Sequence, residues 1–394
     1  MSEQNAYIPV TRLVAFMIDA LKKMGVPVED SKIIADVLIT SDLWGVRSHG
    51  IAHLKMYHER IKAGLQLPVT HWTIVKETPT TAVIDGGNGM GMVIGSHAMR
   101  LAIEKARACG LGAVAVRNSS HYGIAGYYPL LAAREGFVGL SVTNAHPSTA
   151  PTFGTEPLLG TNPIAIAAPS DEDFPYLFDA ATSVVPRGKI EVAARARRAL
   201  PEGWVVNEVG LPVNDSSTTI QMMNDGKAAL LPLGGAGESL GGHKGYGLAT
   251  MVEIFSAAFQ NGAYLSMLHD TDHEGNPQFL RIGHFFLAIN VESFIPVEEF
   301  KHATGNMMRE LRASRKAPGQ ERIFTAGEKE YFNTLKVKAE GVEITPAVQK
   351  ALKSLQEELD LTGHDLGFQG PDNPDRFHAS LSSPAQRGKH KKNP

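Results

Sequence analysis

Apolar residues recur at helical spacing through the first sixty positions. Leu13, Phe16, Met17, Ala20, Leu21 and Met24 share one face of a helix over residues 10–25, with Gly25 placed to end it. Ile33, Ile34, Val37 and Leu38 mark a second helix over 29–43, with Trp44 beside its buried stripe. Ile51, Leu54, Tyr57, His58 and Ile61 mark a third, which stops near Gly64. Between the last two lies Gly45-Val46-Arg47-Ser48-His49-Gly50. Ser48 reads there as a helix cap, which puts His49 at or just inside a helix N-terminus.

Beyond residue 80 the pattern alternates between strands and helices. Residues 80–85 and 112–116 read as strands around a helix over 93–109, and a further helix spans 124–135. Strands follow at 137–143, 164–168 and 176–179; 201–214 reads as loop. A strongly apolar helix at 248–259, a strand at 282–291 and helices at 297–315 and 346–359 complete the pattern. This is the order of an α/β enzyme.

The strand at 112–116 runs into Asn118-Ser119-Ser120-His121-Tyr122-Gly123. An imidazole in a polar cluster at a strand's carboxyl end is where such sheets place their chemistry, so His121 is an acid/base candidate. A structural histidine bonded at a strand end is the competing reading. Residues 86–91 form a glycine loop, but the dinucleotide fingerprint fails. Gly89-x-Gly91 is followed by Gly95, and the next strand ends in Arg117-Asn118 without an acid for a ribose. A second loop, Gly241-Gly242-His243-Lys244-Gly245-Tyr246-Gly247, suits phosphate contact before a helix, or simply close helix packing. It is not a nucleotide-hydrolysing P-loop, because Lys244 precedes glycine rather than Ser or Thr. His49 and His53 share a helix face and permit zinc, but no glutamate stands in the protease position and no thiol is near.

Composition narrows the class. The 394 residues favour two domains, and 43% apolar with 39 glycines suits a loop-rich α/β enzyme. A net charge of -3 leaves no nucleic-acid footprint. The basic run Arg387-Gly388-Lys389-His390-Lys391-Lys392 reads as part of a disordered tail, 377–394. Cys109 is the only cysteine, which fits a reducing compartment. No signal peptide or membrane-length apolar run is present, so a cytoplasmic protein is expected.

Six motifs then fall in register. They are Ser41-Asp42-Leu43-Trp44-Gly45-Val46-Arg47-Ser48-His49-Gly50, the His121 motif, Gly160-Thr161-Asn162-Pro163, Asp179-Ala180-Ala181-Thr182-Ser183, Pro201-Glu202-Gly203-Trp204 and the Lys244 loop with Leu248. Together they resemble the malate/L-lactate dehydrogenase family that also contains ureidoglycolate, sulfolactate and diketogulonate enzymes, and that is unrelated to the usual lactate and malate dehydrogenases. The resemblance implies NAD- or NADP-linked hydride transfer between a 2-hydroxy acid and its 2-oxo acid, and a homodimer. It implies a non-Rossmann cofactor domain with a mixed sheet at 78–294 and a mainly helical second domain from both chain ends, 1–77 and 295–376. It assigns acid/base work to His121 and His49. It assigns cofactor contacts to Ser119, Asn144, Thr161, Asn162, Asp179, Ala180, Ala181, Lys244, Gly245, Gly327 and Glu328. Ser48 and His53 fall on the substrate side. Many members carry arginine at the position of His53, where it is placed for a carboxylate; Arg47 or Arg187 could supply that charge instead. A cyclic imine acid or sugar-derived oxo acid as substrate, a non-catalytic nucleotide-binding protein and a metal-dependent hydrolase are the alternatives.

Overall fold

A computed structural model describes residues 4–272 and 274–368; the basic run and the tail expected at 377–394 lie outside the described residues. Strand β1 (Ala6–Ile8) leads into α1 (Val10–Lys23) and α2 (Val28–Leu43), which pack on each other. Pro9 and Pro27 stand just before these helices, where a missing N–H breaks no helical bond. The α1 stripe Leu13, Phe16, Met17, Ala20 and Leu21 is buried, as its spacing predicts. Two short 3-10 turns, Arg47–His49 and Ile51–His53, precede α3 (Leu54–Lys62).

The main sheet begins with β2 (Thr73–Glu77) and β3 (Thr81–Asp85), after which α4 (Gly91–Cys109) crosses to β4 (Leu111–Ser119). Then come α5 (Tyr127–Arg134), β5 (Phe137–Thr143), β6 (Ile164–Ala168) and β7 (Tyr176–Ala180). A smaller unit follows: α6 (Arg187–Arg195), β8 (Val205–Asn207), α7 (Ser216–Asn224) and β9 (Ala228–Leu230), with its own apolar cluster around Val185, Ile190, Leu200 and Leu230. The chain returns through α8 (Gly242–Ala257), β10 (Ile282–Asn290), α9 (Val297–Ala313), α10 (Glu328–Glu340), β11 (Val342–Ile344) and α11 (Pro346–Glu358).

The seven-stranded sheet runs β2-β3-β4-β10-β5-β6-β7, and only β3 and β4 are parallel. A doubly wound dinucleotide fold needs a run of parallel strands. This sheet has one parallel pair, so the fold is mixed α/β and not Rossmann. Late strand β10 inserts between β4 and β5, buried by neighbours on both edges. β1 pairs antiparallel with β11, which ties the start of the chain to residues 342–344.

Several elements escape the hydrophobic pattern. β2 is exposed along its whole length, and α6, α7 and α10 bury few residues each, so none has a strong apolar stripe. The apolar helix expected from 248 starts six residues earlier, at Gly242. Two of its glycines serve close contact: a Cβ on Gly242 would stand 2.1 Å from the Gly235 carbonyl oxygen, and one on Gly245 2.2 Å from that of Leu233.

Candidate active site

The end of β4 is built by packing. Ser120 Oγ accepts from Gly91 N and Gln66 Nε2, each at 2.9 Å, and donates to Gly89 O at 2.8 Å. A Cβ on Gly91 would fall 2.1 Å from Ser120 O. The glycine loop at 86–91 thus lets α4 close against the strand end, a use that accounts for its failed fingerprint.

That platform presents His121. Its Nδ1 lies 2.7 Å from the buried Tyr57 hydroxyl on α3, with Gly123 N more distant at 3.4 Å. Nε2 has no hydrogen-bond partner among the described residues and is left for a ligand. Burial pushes the Tyr57 pKa up, so its hydroxyl stays protonated and can either donate to Nδ1 or accept from it. His49 and His53 close a triangle with His121: ring centroids are 5.5 Å apart for 49–53, 5.6 Å for 49–121 and 5.3 Å for 53–121. Burial, then mutual repulsion, holds His121 well below the usual imidazole range and His53 at about 4; burial alone lowers His49. At neutral pH the three rings are uncharged.

Ser48 does not cap a helix. It lies in a 3-10 turn with its Oγ 2.9 Å from His49 Nδ1, and α3 begins only at Leu54. The reason is Asp42, at the end of α2. Its buried carboxylate accepts from Ile51 N at 2.8 Å and lies directly against Gly50, which splits the segment into two short turns. The neutrality of His49 therefore comes from burial, not from a helix end. His58 faces away from the triangle, with Nε2 3.2 Å from Glu358. Among the described residues no three His, Cys, Asp or Glu side chains converge as a metal site.

The residues assigned to the cofactor fall into two groups. Thr161, Ala180 and Ala181 are half-buried, Asp179 is exposed with Oδ2 accepting from Gly126 N at 2.7 Å, and Lys244 is exposed without a polar partner among the described residues. Thr182 N donates to Thr161 O, and Leu233 N to Thr182 O, so the end of β7, the 161–162 turn and residue 233 are bonded together, and the first turn of α8, which carries Lys244, packs on Leu233 through Gly245. These residues fit a dinucleotide: small side chains allow close approach, the unpaired ammonium suits its phosphates, and the Asp179 carboxyl, raised to about 6 by desolvation, can bond a hydroxyl or amide but not a phosphate. The second group is committed inward. Asn144 bonds Glu253, Ala263 O and Gly283 N; Asn162 bonds Glu253 and Ala249 O; Glu328 is fully buried against Arg322 and Thr325 N. Gly245 and Gly327 are close-packed against backbone. Arg187 is turned to the surface, bonding Glu191 and Asn224, although the neighbouring Gly188 approaches Ser48.

Ser119 leads to a residue the sequence reading missed. His284 on β10 is fully buried, with Nε2 2.8 Å from Ser119 Oγ, Nδ1 2.8 Å from Thr143 Oγ1, and its ring stacked 4.4 Å from Tyr122. A lone histidine inside an apolar central strand was the available signal. Burial lowers its pKa to about 3. Below pH ~6.5 the unfolded chain binds a proton that folded His284 refuses, so its contribution to stability falls by about 1.4 kcal/mol per unit as pH drops toward the folded value. Raised carboxyls such as Asp42, at about 7, pull the opposite way. The diagnostic quantity is therefore the difference between parent and His284→Gln. Urea midpoints should show that difference shrinking from pH 6.5 to pH 4; a constant difference would contradict the assignment.

Comparison with known proteins now decides the lineage. The family model described as malate/L-lactate dehydrogenase matches residues 8–353. The chain belongs to the malate/L-lactate dehydrogenase family. It is 46% identical over 358 residues to a malate dehydrogenase of Pyrococcus horikoshii, covering 91% of this chain and 96% of that one. It is 41% identical to an L-sulfolactate dehydrogenase of Methanocaldococcus jannaschii, covering 89% and 96%. The crystal structure of malate dehydrogenase from Entamoeba histolytica superposes with a TM-score of 0.88 at 43% identity, covering 91% and 99%. The protein is thus an oxidoreductase of the hydroxy-acid dehydrogenase type, a family that implies a nicotinamide cofactor. No helix among the described residues is long and apolar enough to cross a membrane.

Proposed function

We propose that the protein interconverts a 2-hydroxy acid and its 2-oxo acid with NAD or NADP, with malate and oxaloacetate as the preferred pair and lactate or sulfolactate as competitors. The observation that carries this reading is the Tyr57–His121 hydrogen bond beneath two further neutral imidazoles. When bound, the nicotinamide accepts or supplies the hydride. His121 Nε2 takes the hydroxyl proton during oxidation and returns it during reduction. Tyr57 keeps Nδ1 bonded in both protonation states, which holds the ring in place. His49 and His53 bond the substrate oxygens, while His121, whose Nδ1 is held by Tyr57, carries the proton transfer. Thr161, Ala180, Ala181 and Lys244 would hold the dinucleotide, with Asp179 near its polar groups.

Dimerisation is part of the proposal. Exposed Tyr246, Ile254 and Tyr264 line an apolar cavity of about 390 Å³, a surface suited to a second copy; a monomeric mass by light scattering would remove this element. The catalytic test is absorbance at 340 nm with NADH and NADPH against oxaloacetate, sulfopyruvate, pyruvate and a cyclic imine acid. The highest kcat/KM is expected for oxaloacetate. Cofactor binding without turnover of any of these would favour a non-catalytic nucleotide-binding role.

A further inference from the structure

His53, in the turn leading into α3, and Tyr57 and Arg60 on α3 stand at i, i+4 and i+7, the spacing of one helix face. Two of the three belong to the imidazole cluster. Arg60 continues the row roughly one turn further on. Its side chain is 18% exposed, and its sole ion pair among the described residues is a loose one, Nη1 to Asp270 Oδ2 at 3.9 Å. That exceeds hydrogen-bond distance, and the guanidinium makes no hydrogen bond among the described residues. Arg312 gives the contrast: it is equally exposed, yet its Nη2 bonds Glu172 at 2.6 Å. A guanidinium keeps its charge at all working pH values and carries five donors. A half-buried guanidinium whose donors are not spent inside the protein is free to receive an anionic ligand group. The charge also lies close enough to add to the repulsion that disfavours a proton on His121.

The other cations considered for the substrate are occupied. Arg187 is spent on Glu191 and Asn224 at the surface, and Arg47 on Glu343. His53 stands where arginine is common in the family, and as a neutral ring it brings no charge. Building on the dehydrogenase reading above, we propose that Arg60 is the carboxylate-binding residue of this active site, with Asp270 as its resting counter-ion. The ligand group is a carboxylate of the hydroxy acid, either the one beside the reacting carbon or a distal one.

The test compares Arg60→Gln and Arg60→Lys with the parent enzyme, using oxaloacetate and pyruvate as substrates. Arg60→Gln should raise KM about 10- to 100-fold, the scale of a lost charge-assisted pair, while kcat and NADH affinity stay within a few fold. Arg60→Lys should recover part of the loss, as a point charge without the planar fork. An increase for both substrates assigns Arg60 to the carboxylate beside the reacting carbon; an increase for oxaloacetate alone assigns it to the distal one. Unchanged KM for both overturns the proposal. If the parent turns over no 2-oxo acid, the dehydrogenase reading fails, and thermal melting with oxalate still tests Arg60. Oxalate should then raise the Tm of the parent but not of Arg60→Gln, and an absent or equal shift overturns the proposal.

Discussion

Replacing His121 by alanine should cut kcat by about 10³-fold while leaving NADH affinity within a few fold, because positioned acid/base groups contribute about 10²–10⁴. The geometry predicts this separation. The His121 ring is held by Tyr57 and surrounded by His49 and His53, whereas the residues proposed to hold the dinucleotide lie at the end of β7 and in the first turn of α8. Neighbouring imidazoles cannot substitute, because neither has the hydrogen bond to Tyr57 that holds the His121 ring in place. Direction matters for the pH profile. A base whose pKa is depressed remains unprotonated well below pH 6.5, so oxidation in the parent should persist into mild acid. Reduction needs the protonated ring, and its rate should climb as pH falls. Stopped-flow traces for both directions would test the pair of slopes, and an alanine variant with intact kcat would end the acid/base assignment.

The second large effect is expected at Gly50. An alanine Cβ there would lie 2.0 Å from Asp42 Oδ1 and 2.2 Å from Cγ. Asp42 is 3% exposed and its Oδ2 already holds Ile51 N, so the carboxylate has no free direction to move. Either it yields and the Ile51 bond is lost, or the turn shifts and carries His49 and His53 with it. Gly50→Ala should cost about 2–3 kcal/mol of stability by overpacking and about 10² in kcat/KM by misplacing the imidazoles. Gly363→Ala, where a Cβ meets nothing within 4 Å, is the control. Urea titration and steady-state kinetics read the two effects; wild-type values for both would mean the turn is softer than its contacts suggest.

Much of this site is legible in the sequence because its chemistry is local. The His121 motif, the Ser48-His49-Gly50 turn and His53 each stand in a short segment with a recognisable pattern, and the structure brings the three histidines together. The roles that fail to show are those set by distant partners. Tyr57 reads as one more apolar position on α3 until His121 arrives from 64 residues away. Asn144 and Glu328 look like ligand contacts, but Glu253 and Arg322 bond their polar groups inside the protein, and Asn162 gives its Nδ2 to Glu253 and Ala249 O. Arg60 belongs to no motif at all; its meaning depends on what it lacks. The same division holds for the fold. Helices with strong stripes, such as α1, are predictable, while exposed β2 and the polar α6 and α7 form because the surrounding chain supplies their partners.

The position of β10 has a consequence for how the molecule is made. His284 pairs with Thr143 on one side and Val116 on the other, so β4 and β5 are joined only by a strand that follows them by well over a hundred residues. During synthesis these strands must wait, each with an open edge, through the whole smaller unit and α8. Such non-local pairing slows folding and exposes edges that can recruit other chains. A ribosome pausing between β7 and β10 would thus hold a nascent chain with its central seam unfilled, and the burial of His284 marks the moment that seam closes.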